Sequence, residues 1–99
     1  MLRVESHRLA NTVTLRLEGR FVGDWAEQAR SLVTKSPVPA QLVVDLTEVS
    51  YADSIGEQVL IWLRSIGATF IAGSCYALDV CERLQLPLER EASSSPARR

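Results

Sequence analysis

Leu42-Val43-Val44 is an unbroken apolar run that ends in Asp45. A run of this kind reads as a strand covered on both faces. A loop over Thr47–Ala52 is then expected to lead into a helix from about Ser54 to Ser65, which Gly67 ends. Ala68-Thr69-Phe70-Ile71-Ala72 repeats the theme as a second covered strand, followed by a second helix signal. Covered strands alternating with helices need right-handed crossovers, which confines the chain to α/β architectures.

The N-terminal part reads differently. Leu2 and Val4 alternate with Arg3 and Glu5, and Val13, Leu15 and Leu17 alternate with Thr14, Arg16 and Glu18. Strict alternation marks half-buried strands with one wet face. Leu9-Ala10-Asn11 reads as the turn between them, so the two form a hairpin, and Gly19 is expected to end the second strand. Asp24 is placed to cap the next helix, with Glu27 three residues on to complete a capping box. Trp25, Ala29, Leu32 and Val33 are expected to share that helix's apolar face, and Ser36-Pro37-Val38-Pro39 to stop it. Gly73-Ser74 introduces the last helix, where Ala77, Val80, Cys81 and Leu84 share a face and Pro87 closes. The predicted order is ββαβαβα, an α/β sandwich on a mixed four-stranded sheet. It occupies residues 1–88, with a flexible polar tail over 89–99.

Composition narrows the function classes. The 99 residues suit one domain, and 46% hydrophobic content is too high for a disordered chain. Eleven basic residues against twelve acidic ones leave no electrostatic footprint for nucleic acid or an anionic membrane. No apolar run reaches the length of a membrane span, and Met1–His7 lacks a signal-peptide apolar region, so a soluble, cytoplasmic protein is expected. The single histidine, His7, is expected near the surface with no nucleophile tied to it by spacing. Cys75 and Cys81 are not in CxxC spacing and read as partly buried thiols. No metal, cofactor or catalytic residue is expected.

The candidate site is the segment where the central strand hands over to its helix. Asp53, Ser54, Ile55, Gly56 and Glu57 lie at that helix's start, where free N–H groups and the helix dipole favour negative charge. Ser54 and Glu57 form a capping-box sequence, while Asp53 is an alternative cap. A hydroxyl there is also a possible phosphorylation site, which on this chain would be Ser54. Further along the helix, Val59, Trp62 and Ile66 form one stripe and Gly56, Leu60 and Leu63 another. That face is wider than a core needs, so Trp62 is either an edge-of-core residue or part of a docking patch.

The segment Asp45-Leu46-Thr47 … Val49 … Tyr51 … Asp53-Ser54-Ile55-Gly56 resembles the signature of STAS domains, which include the bacterial anti-sigma factor antagonists. Leu15–Phe21 resembles the family's second strand and turn, and the predicted order agrees from about residue 2 to 86. The resemblance implies a non-enzymatic module that regulates transcription by binding an anti-sigma factor, itself a serine kinase, or another regulatory protein. The partner surface is expected at the loop and the helix after it: Asp53, Ser54, Ile55, Gly56 and Glu57, with Trp62 added from the helix's wide apolar face. The family's common form is Asp-Ser-Ser-Gly, with the phospho-acceptor directly before Gly. Ile55 stands in that position here, and Ser54 matches the preceding Ser. A second reading of the same helix start is a sensor for a nucleotide or lipid.

Overall fold

The computed structural model describes residues 2–35 and 40–89. The expected stop at Ser36–Pro39 and the tail from residue 90 onward lie outside the described residues. The elements are β1 (Leu2–Leu9), β2 (Thr12–Phe21), α1 (Gly23–Lys35), β3 (Gln41–Ala52), α2 (Ser54–Ser65), β4 (Thr69–Ile71) and α3 (Cys75–Leu84). The order is the expected ββαβαβα. The sheet runs β1-β2-β3-β4, with β1 antiparallel to β2 and the other two pairings parallel. It is the mixed four-stranded sheet that the pattern predicts.

The hairpin turn is tighter than expected. Leu9 still pairs with Thr12, so only Ala10 and Asn11 make the turn, with Ala10 at φ 56. Leu9 is the strand's last residue and is exposed.

One face of the sheet holds the core. Val13, Leu15 and Leu17 of β2, Leu42, Val44 and Leu46 of β3 and Phe70 of β4 pack with Ala26 and Ala29 of α1. The same cluster takes in Val59, Leu60 and Leu63 of α2 and Ala77, Val80 and Cys81 of α3. All three helices thus bury their apolar stripes on the same face. The opposite face follows from strand alternation. It carries Arg3, Glu5 and His7 on β1, Thr14, Arg16 and Glu18 on β2, and Val43 and Asp45 on β3. Val43 is buried there, outside the core cluster, with Thr14 and Thr69 as its register partners on the flanking strands. Leu42, Val43 and Val44 are thus all buried, as expected of a strand covered on both faces.

The largest correction concerns Thr47–Ala52, expected as a loop. It is strand, and β3 continues through it to Ala52. The pairing with β2 shifts twice, between Arg16 and Glu18 and between Gly19 and Arg20. Each shift adds one residue to β3, which is a β-bulge. Core positions therefore run 42, 44, 46 with the period of a plain strand, then 46, 49, 52 with a period of three. Gly19, expected to end β2, instead sits inside it at φ 105, a conformation open to glycine but strained for other residues. Its carbonyl accepts from the Ser50 hydroxyl at 3.2 Å, across the second bulge.

The helices also depart in detail from the pattern. α1 starts at Gly23, so Asp24 lies in its first turn and does not cap it. Its buried residues are Ala26 and Ala29, with Val33 half-buried, while Trp25 and Leu32 face outward. The apolar stripe is thus rotated from the one expected through Trp25. α3 begins where predicted, with Ser74 as cap: its hydroxyl accepts from the Ala77 N–H at 3.1 Å. It ends on Gln85 in the left-handed region. The chain then returns to β4. Phe70 N–H donates to the Pro87 carbonyl at 2.8 Å, and Glu89 N–H donates to the Phe70 carbonyl at 2.6 Å. Glu89 also accepts from the Thr69 hydroxyl at 2.7 Å, so this residue is tied to the sheet.

Candidate functional site

The carboxyl end of β3 meets the start of α2 at Asp53. Asp53 is the N-cap, in extended backbone, and its Oδ1 accepts from the Gly56 N–H at 2.8 Å. The same carboxylate accepts from the Gly23 N–H at 3.2 Å through Oδ2, with Oδ1 at 3.4 Å. One side chain therefore serves the first turns of α1 and α2. Helix starts carry unpaired N–H groups and positive partial charge, so a carboxylate shared between two of them is doubly favoured.

Gly56 explains why α2 can sit so close. A Cβ on Gly56 would stand 2.0 Å from the Phe21 carbonyl oxygen, which is backbone at the end of β2 and has little freedom to move. The first turn of α2 is thus pressed onto β2, and Phe21 is itself fully buried. Behind it, the bulged half of β3 is fastened from the α3 side. The Ala52 N–H donates to the Tyr76 hydroxyl at 2.7 Å, and the Gly73 N–H donates to Thr47 Oγ1 at 3.0 Å. Asp45 Oδ1 accepts from the Thr47 N–H at 2.9 Å across the first bulge.

Ser54 and Ile55 are the part left outside this frame. Ser54 is exposed and its hydroxyl makes no hydrogen bond among the described residues, because Asp53 has taken the capping role. Ile55 is 40% exposed. Glu57 does not reach back to complete a capping box. Its backbone N–H donates to the Asp53 carbonyl at 2.8 Å, and its carboxylate pairs with Arg83 of α3 at 2.9 Å. Arg83 also holds Asp79 at 3.2 Å. Hydrogen bonds from Glu57 and then Asp79 push the Arg83 guanidinium pKa further up. The pair fixes the flank of α2 toward α3.

Trp62 lies two turns along α2. It is half-buried against the core, and the Arg30 guanidinium of α1 stands 5.2 Å over its ring. This is the edge-of-core arrangement, closed by a cation–π contact. Helical spacing puts Ile55 and Trp62 on the same side of α2, seven residues apart. The six predicted residues thus separate into a frame (Asp53, Gly56, Glu57 and Trp62) and an exposed pair (Ser54 and Ile55). Gly23, Thr47 and Tyr76 also belong to the frame, and the sequence does not mark these contacts. Their contacts span 24 to 30 residues of sequence, and no local pattern announces such pairs.

Cys75 is exposed and Cys81 buried, where both were expected to be partly buried. Burial pushes the Cys81 thiol pKa up. No group of three His, Cys, Asp or Glu side chains among the described residues is arranged to hold a metal. No helix among them is long and apolar enough to cross a membrane. A surface hollow lined by Glu27, Arg30, Ser31, Thr34 and Lys35 is built by α1 alone and includes no residue of the 53–57 segment.

No protein-family model matches the chain, and no curated protein matches it in sequence. Solved structures do match its fold. The anti-sigma factor antagonist SpoIIAA in its unphosphorylated form superposes with a TM-score of 0.68 at 16% identity, covering 92% of this chain and 90% of that one. An uncharacterised protein of SpoIIAA-like fold from Shewanella loihica gives a TM-score of 0.58 at 13% identity, covering 98% of this chain and 84% of that one. The murine solute carrier 26 family member A9 anion transporter gives 0.56 at 18% identity, where the match covers 77% of this chain and 14% of the transporter. The fold of this chain is STAS-like.

Proposed function

We propose that this chain is a non-enzymatic binding module of the anti-sigma factor antagonist kind, and that it presents the start of α2 to a regulatory protein. The observation that carries this reading is the division within 53–57. Asp53 and Gly56 lock the helix start in place, and what they leave exposed is a small polar and a branched apolar residue, Ser54 and Ile55. A rigid scaffold offering an apolar anchor at its surface is what protein recognition uses, because little ordering entropy is lost on binding. The same division identifies which residue to change. Asp53 is part of the scaffold, so replacing it confounds binding with folding, whereas Ile55 can be replaced without disturbing the frame.

The partner proposed is an anti-sigma factor with serine kinase activity, or another regulatory protein of that signalling system. The acceptor position holds Ile55, which has no hydroxyl, so binding in this module is not switched by phosphate there. Calorimetric titration of the full chain with a purified kinase-type anti-sigma factor from the same organism tests the reading. Ile55→Asp is expected to weaken the complex by at least about tenfold, the loss of a well-packed apolar anchor. Its thermal midpoint should stay within about two degrees of the parent, as for a surface change away from structural contacts. Unchanged affinity in that variant would remove α2's start from the interface.

A further inference from the structure

The two edges of the sheet are treated differently. On the β4 edge the chain folds back, with Leu88 bridging Phe70 and backbone bonds at both Pro87 and Glu89. The β1 edge has no such cover among the described residues, and it is eight residues long. An open edge is a row of unpaired backbone N–H and C=O groups ready to pair with another strand. Proteins commonly protect such an edge with charge. β1 does carry charge, but in a self-complementary order rather than one sign: Arg3, Glu5, His7 on the face away from the helices.

We propose that β1 pairs antiparallel with β1 of a second copy of this chain, about a two-fold axis through Val4, making one continuous eight-stranded sheet. In this register Arg3 faces Glu5 of the second copy and Glu5 faces Arg3 of the second copy. Val4 meets Val4, and Leu2 meets Ser6. Within one chain Arg3 already lies opposite Glu18 and Glu5 opposite Arg16 on β2. The dimer therefore has two rows running across four strands: Glu18, Arg3, Glu5 and Arg16 in one direction, and the same sequence in the other. Signs alternate at every step in both rows, and opposite charges facing across strands are stabilising where like charges are not.

Neighbouring registers lack this property. An axis through Glu5 sets Glu5 against Glu5. An axis through Ser6 sets Arg8 against Val4 of the second copy. Arg8 lies opposite Val13 and so points to the helix side, where a charge facing an apolar residue is unfavourable. With the axis at Val4, Arg8 and the exposed Leu9 fall outside the paired stretch. The pairing uses no residue of the α2 site and goes beyond the binding reading above.

Sedimentation of the full chain over a range of concentrations tests the proposal. The wild type is expected to pass from one chain to two, with weaker association at high salt. Arg3→Glu and Glu5→Arg each set like charges face to face and are each expected to raise the dimer dissociation constant about tenfold or more. Mixed together they restore the opposite pairs, Glu against Arg and Arg against Glu, so the mixture is expected to dimerise where neither does alone. Val4→Cys in a Cys75→Ser background places two thiols on the axis and is expected to form a disulfide-linked dimer on mild oxidation, while Ser6→Cys is not. A wild type that sediments as one chain throughout overturns the proposal. So do charge variants that dimerise as tightly as wild type, or a preference of Ser6→Cys over Val4→Cys for cross-linking.

Discussion

α2 and α3 open with the same kind of residue in the sequence: Ser54 stands at one start and Ser74 at the other. In the structure only Ser74 is a cap, and its hydroxyl serves one N–H of its own helix. At α2 the preceding Asp53 is the cap, and it serves Gly23 of α1 as well as Gly56. The α3 start is a local arrangement, complete within four residues. The α2 start is a tertiary one, in which a carboxylate joins two helices and a glycine admits a strand end. A local cap holds a helix; a shared one holds a surface. That difference is why the candidate site lies at α2.

The comparison breaks most severely at Gly56. Gly56→Ala puts a methyl group within 2.0 Å of the Phe21 carbonyl, and relief requires moving either α2 or the end of β2. The expected loss is at least about 3 kcal/mol, the upper range of overpacking a close contact. Denaturant unfolding measures it. A loss under about 1 kcal/mol would mean that α2 moves readily and that the frame is looser than its contacts indicate.

Asp53→Ala comes next. It removes the acceptor for two helix starts at once, where an ordinary cap serves one. A single cap is worth about 1 kcal/mol, and a charge-assisted bond adds to that, so about 2–3 kcal/mol is expected. Asp53→Asn keeps an acceptor oxygen and is expected to recover more than half of the loss. Equal losses for Asp53→Ala and Ser74→Ala would show that the Gly23 bond contributes nothing, and the distinction between shared and local caps would fail.

The sequence pattern announces elements whose determinants are local. The alternation of Val13, Leu15 and Leu17, the stripe of Ala77, Val80 and Cys81, and the order ββαβαβα all follow from neighbours within a turn or a strand. Three features were hidden because their causes are distant. β3 beyond Leu46 reads as a loop, since two bulges change its core spacing from two to three, and Val49 and Ala52 then match no strand template. Trp25 reads as core because size and helical spacing favour it, yet the buried stripe of α1 runs through the small residues Ala26 and Ala29, which join the core cluster. Asp53 was named as a partner-binding residue on resemblance, and its bond to Gly23 closes a gap of 30 residues that spacing cannot reveal. In the candidate segment, Asp53 as a cap is legible from its place before the helix, but its second bond and the division that leaves Ser54 and Ile55 exposed are not.

The smallest expected effect is the most direct test of that division. Ser54→Ala and Ser74→Ala are the same chemical change at residues one place apart in their helices' numbering, N1 of α2 and N-cap of α3. Ser74→Ala removes the acceptor for the Ala77 N–H and is expected to cost about 1 kcal/mol. Ser54→Ala removes a hydroxyl that bonds nothing among the described residues, and alanine is a strong helix former, so the change is expected within about 0.5 kcal/mol of zero. Parallel denaturant titrations of the two variants provide the comparison with no assumption about the partner. If the two losses are equal, Ser54 shares in capping α2, and its hydroxyl is then committed to the frame. If they differ as expected, Ser54 remains available at the surface beside Ile55, and any change in partner affinity on Ser54→Ala reports contact with the partner rather than damage to the helix.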